Sequence, residues 1–214
     1  KKPDELEYYC RSGGLNLQII GFFFFIGIVT CMDDLFRLTS QYDELSQGKE
    51  VIWFLGIAKV ASMTFGINNY ILNLSRYYKL SMLAFLWMAF MNVTLNYLFI
   101  PRYQIAGAAL ATSFSIIAFC VLNTYLVWKK MGIRPVSTKI LLVPLLAIPS
   151  ILLGQVLPNV GHPLFNIAVK GLLVSVLYIV SIVGFGISPD LNAFVLKYAN
   201  LLIDRSRSFF NSRK

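Results

Sequence analysis

Carboxylates are scarce in this chain. Its 214 residues include ten Asp and Glu against nineteen Lys and Arg, with a single histidine. All ten acids fall outside the long apolar runs, which argues against exchange of protons or sodium on a carboxylate in a membrane interior. The three cysteines, Cys10, Cys31 and Cys120, are an odd number without metal-ligand spacing, so neither a disulfide framework nor a zinc site is expected. His162 lies in a short loop between Gly161 and Pro163. No Ser–His–Asp set, metal cluster or glycine-rich phosphate loop is present. The expectation is therefore a non-enzyme without metal or cofactor.

Charge is thin as well, at 14% of residues where soluble domains carry about 25%. Hydrophobic residues make up 57% and the mean hydropathy is +0.67. That much apolar surface has no soluble way to be buried, so the chain reads as an integral membrane protein. The net charge of +9 does not imply nucleic acid as a partner, because the basic residues lie between apolar runs and in the C-terminal segment rather than along one face.

A hydrocarbon core of about 30 Å needs roughly 20 apolar residues per helix. Six runs qualify: 15–32, 51–74, 80–100, 105–128, 140–157 and 164–187. None alternates with strand period, so the expected fold is all-α, a bundle of six transmembrane helices. Pro101 ends the third run, and Pro144 and Pro149 lie within the fifth. Residues 1–14 read as a cytoplasmic connector. Residues 188–214 read as an interfacial amphipathic helix followed by a basic tail, drawn to membrane lipids. The start "KKPDELEYYCRSGG" has neither an initiator Met nor a signal-peptide pattern, which fits a piece of a longer protein.

Lys and Arg are distributed unevenly between the connections. Lys1, Lys2, Arg11, Arg76, Lys79, Lys129, Lys130, Arg134, Lys139 and the C-terminal cations fall on one side; Arg37, Lys49 and Arg102 fall on the other. The positive-inside rule then predicts a multi-pass protein with both termini cytoplasmic.

Two cations remain inside the runs, Lys59 and Lys170. Projected at about 100° per residue, Lys59, Ser62, Asn69 and Asn73 occupy one sector roughly 80° wide, with Gly66 among them and Thr64 and Asn68 opposite. A lysine near the bilayer centre costs about 2.5–3.5 kcal/mol. No acid of the chain lies at that depth to pair with Lys59, so the sector is expected to face a water-filled cavity, with Thr64 and Asn68 as packing residues. Lys170 is nearer the outer end of its run and can either snorkel or join the cavity. Asn92 and Asn96, one turn apart, either bond across helices or line the same cavity. Gly107, Ala111 and Ser115 are small residues four apart, suited to close helix packing. Asp33 and Asp34 read as a solvated helix end.

Several stretches, "GKEVIWFLGIAKVASMTFGINNYIL", "SRYYK", "LNYLFIPRYQIAGAALAT" and "WKKMGIRP", resemble the C-terminal half of bacterial polysaccharide flippases. These belong to the multidrug, oligosaccharidyl-lipid and polysaccharide exporter superfamily. The likeness is carried by the second to fourth runs; the others match in length and order. It implies one bundle of a two-bundle flippase in the bacterial inner membrane, partnered by an N-terminal half of the same transporter. The substrate implied is an isoprenoid-pyrophosphate-linked oligosaccharide of lipopolysaccharide, capsule or exopolysaccharide, crossing by alternating access. The candidate substrate-binding residues are Lys59, Ser62, Asn69, Asn73, Asn92, Asn96 and Lys170. A multidrug or cation antiporter of the same superfamily is the alternative. A membrane glycosyltransferase or polymerase is disfavoured by outer loops of only about 18, 4 and 6 residues.

Overall fold

A computed structural model describes residues 3–39, 42–46, 48–157 and 162–188. Those residues form helices α1 (Pro3–Arg37), α2 (Tyr42–Ser46), α3 (Lys49–Asn73), α4 (Tyr78–Met131), α5 (Leu142–Val156) and α6 (Pro163–Gly184). A 3₁₀ turn, Thr138–Leu141, leads into α5, and no strand occurs among the described residues. Hydrocarbon offers the backbone no hydrogen-bond partner, so apolar runs of this length satisfy their own amides as helices. Five helices, α1, α3, α4, α5 with its 3₁₀ turn, and α6, are long and apolar enough to cross a membrane. Large side chains such as Leu74, Phe90, Ile105 and Leu172 stand exposed on their outer faces, as in a membrane protein whose outer surface meets lipid. The amphipathic helix and tail expected over 188–214 lie, from residue 189 onward, outside the described residues.

The third and fourth apolar runs form α4, two helices joined at a sharp kink, with the break inside the short turn expected between them. α4 breaks at a single residue, Gln104, whose φ of 49° and ψ of −124° are non-helical. A non-glycine residue there stores about 1–3 kcal/mol of strain. Pro101, three residues earlier, lacks an amide hydrogen and loosens the ladder just before the break. The two arms then run antiparallel. Phe85 meets Phe119 edge to face at 6.1 Å, and Phe99 meets Phe114 at 6.4 Å. Gly107 makes the tight return possible, because a Cβ there would land on the Phe99 carbonyl. Ala111 and Ser115 are buried along the same row, so the small-residue stripe packs as expected.

α1 is the hub. It contacts α3, α5 and α6, while α4 packs on α3. Gly14 lies against the Thr64 carbonyl, Gly21 against Val60, and Phe25 against Gly56, which makes α1 and α3 antiparallel. α6 is antiparallel to α1 on another side, where the Tyr178 hydroxyl donates to the Ile19 carbonyl at 3.1 Å. α5 runs parallel to α1, with Gln18 Nε2 donating to the Ile140 carbonyl at 3.1 Å and Gly154 seated on Thr30. Ile19, Ile26, Val29, Val143, Ala147, Val174 and Ile182 fill the space between these three helices. Lipid tails are as apolar as these side chains, so close fit rather than water exclusion holds the helices together.

Candidate functional site

α3 presents two unlike faces. Ala58, Val60, Thr64, Asn68 and Leu72 are its buried residues. Thr64 donates its hydroxyl to the Val60 carbonyl, and Asn68 Nδ2 donates to Thr124 Oγ1 at 3.0 Å across to α4. Both are packing residues, as the helical projection predicts.

The opposite face is open. Lys59 is exposed and makes neither an ion pair nor a hydrogen bond among the described residues. One to two turns on, Gly66 borders open space: a Cβ there would meet nothing within 4 Å. Ser62 and Asn69 are half-buried and Asn73 is exposed. Asn73 Nδ2 donates to Asn69 Oδ1 at 3.4 Å, and Ser81 donates its hydroxyl to the same oxygen at 2.9 Å. Asn69, Asn73 and Ser81 line a cavity of about 280 Å³ with Met82, Phe85 and Leu86 of α4. Lys59 and Ser62 lie along the helix from this cavity and are not part of its lining.

Asn92 and Asn96 are elsewhere. Asn92 Nδ2 reaches Thr112 Oγ1 at 3.4 Å across the α4 hairpin, and Asn96 Nδ2 donates to the Asn92 carbonyl and side-chain oxygens at 2.9 Å. The pair bonds the two arms together, one of the two roles left open by the sequence.

Lys170 is separate from the open face. It is 7% exposed, and its ammonium lies 3.0 Å from Asp34 Oδ2. Asn166 Nδ2 donates to Asp34 Oδ1 at 3.3 Å. This corrects two expectations. Lys170 neither snorkels nor joins Lys59, and Asp34 is fully buried instead of solvated. The apolar run ends at Met32, but α1 continues to Arg37. Its buried stripe of Ile26 and Thr30 therefore carries on, four residues later, to Asp34. The spacing of Asn166 and Lys170, also four apart, is the matching signal on α6.

Asn123 is a further polar residue that sequence reasoning passed over. It is 1% exposed, and neither polar atom of its side chain is hydrogen-bonded among the described residues. It neighbours Thr124, the partner of Asn68. No group of three or more metal-ligating side chains occurs among the described residues.

Comparisons with protein-family models, with curated proteins and with solved structures give no match.

Proposed function

We propose that this chain is one six-pass half of a flippase that carries an isoprenoid-pyrophosphate-linked oligosaccharide across the bacterial inner membrane. The observation that supports the reading is Lys59: a cation inside an apolar helix, exposed on an otherwise open face, with no acid partner among the described residues. Such a charge costs about 2.5–3.5 kcal/mol near a bilayer centre. Water in a cavity offsets part of that cost, and a transported polyanion offsets more. A pyrophosphate needs compensating cations on its way through the membrane interior, and Lys59 supplies one. Ser62, Asn69 and Asn73 offer hydrogen bonds to sugar hydroxyls farther along the same face.

The remaining geometry is compatible with this role. On this reading the two arms of α4 each cross the membrane, which gives six passes with both ends on one side, and the excess of Lys and Arg makes that side the cytoplasm. A one-sided open face calls for a matching N-terminal bundle, and rocking of the two bundles gives alternating access. Lys170 drops out of the substrate-binding set, because its charge is already balanced by Asp34. Asn92 and Asn96 serve the α4 hairpin. A cation antiporter would require an exchangeable carboxylate; Asp34, the fully buried acid among the described residues, is held by Lys170 and Asn166 on both oxygens. The test is export of surface polysaccharide by Lys59 variants, normalised to the amount of membrane-inserted protein.

A further inference from the structure

We infer that a cavity at the end of α4 binds an anionic phospholipid, with Arg134 as the headgroup contact. α4 stops at Gly132, which takes a left-handed φ of 69°. The chain then runs without helix through residues 133–137, with Ile133 and Pro135 buried. Arg134 lies between them and is pinned through its backbone alone. Its amide donates to Glu7 Oε2 at 3.0 Å, its carbonyl accepts from Arg11 Nε at 2.8 Å, and Glu7 and Arg11 pair with each other at 2.8 Å. The guanidinium takes no part in this clamp. It is exposed and has no partner among the described residues.

Arg134 lines a cavity of about 440 Å³ between the last turns of α4 and the following segment. Val121, Tyr125, Trp128, Pro135 and Val136 give the cavity an apolar wall. Thr124 also lines it, but its hydroxyl already donates to the Cys120 carbonyl and accepts from Asn68. Arg134 is the one charged residue in the lining. Tyr125 and Trp128 meet edge to face at 6.3 Å, and the Lys129 ammonium sits 5.4 Å from the Tyr125 ring centre. Aromatic rings beside cations at a helix end mark the membrane–water boundary.

From there the wall extends about 10 Å along the helix, from Trp128 to Val121, towards the hydrocarbon. The ligand that fits has an acyl chain along this wall and a phosphate at Arg134, with Lys129 close by. Among the described residues, no acid lines the cavity. A free phosphate would leave the wall exposed, and a zwitterionic lipid would bring its own headgroup cation beside Arg134 and Lys129, so an anionic phospholipid suits both ends. This site is distinct from the Lys59 face and does not depend on what crosses there.

The experiment uses the full chain with Trp53→Phe and Trp87→Phe, which leaves Trp128 as the sole tryptophan. It is reconstituted into vesicles containing equal fractions of brominated phosphatidylglycerol or brominated phosphatidylcholine. Quenching of Trp128 should be several-fold more efficient with the anionic lipid. Arg134→Gln should lower that preference about fivefold, in line with one cation at an anionic surface. Arg134→Lys should keep most of it, and Lys79→Gln, a cation at the start of α4, should leave it unchanged. Equal quenching by the two lipids, or a preference that survives Arg134→Gln, would overturn the proposal. So would relief of quenching by an isoprenyl pyrophosphate but not by unbrominated phosphatidylglycerol, which would make this a substrate site instead.

Discussion

The Lys170 ammonium and the Asp34 carboxylate lie 3.0 Å apart, both buried, and tie α6 to α1. Breaking a buried pair on one side strands a charge and costs about 3–5 kcal/mol, whereas replacing both members can be nearly neutral. Lys170→Met or Asp34→Asn alone should therefore sharply reduce membrane-inserted protein and its thermal stability in detergent. The double variant should recover most of both. Additive losses in the double variant would mean that the pair contributes nothing as a pair.

The α4 hairpin makes a second claim about packing. Gly107→Ala sets a methyl group against the Phe99 carbonyl, a backbone atom that cannot rotate away. It should cost about 1–3 kcal/mol, as overpacking does. Gly66→Ala faces open space and should stabilise α3 by up to about 1 kcal/mol through helix propensity. Thermal unfolding followed by size exclusion measures both. Equal behaviour of the two variants would contradict the close return at Gln104.

Orientation can be tested in a background without Cys10, Cys31 and Cys120. Cysteines at Thr39 and His162 should react with an impermeant thiol reagent in intact cells, while those at Arg76 and Thr138 should not. The excess of Lys and Arg on the Arg76 side drives this expectation. The reversed labelling pattern would place the termini outside.

Helix class and the apolar spans were legible in the sequence because length and composition alone force them. The two faces of α3 were legible too: Thr64 and Asn68 pack, and Lys59 and Asn73 are exposed, as the 3.6-residue period predicts. The hairpin was legible as well. Pro101 and the small residues from Gly107 marked a helix, a short turn and a second helix, and the break falls at Gln104 within that turn. Asp34 was missed because a hydropathy window stops at Met32, whereas burial follows the helix axis beyond it. Its pairing with Lys170 spans 136 residues of sequence, as the clamp on Arg134 by Glu7 spans 127. Contacts of that range are fixed by how helices dock: four-residue spacings show which face of a helix is buried, but not which face meets which.

The measurement closest to the central claim is polysaccharide export by Lys59 variants at matched levels of inserted protein. Lys59 is exposed and free of any partner among the described residues, so its replacement should leave abundance nearly unchanged. If its positive charge serves a pyrophosphate, Lys59→Arg should retain much of the export. Lys59→Gln should lose most of it, and Lys59→Glu should abolish it by like-charge repulsion. Wild-type export from Lys59→Gln at equal abundance would contradict the account and remove this lysine from the substrate path.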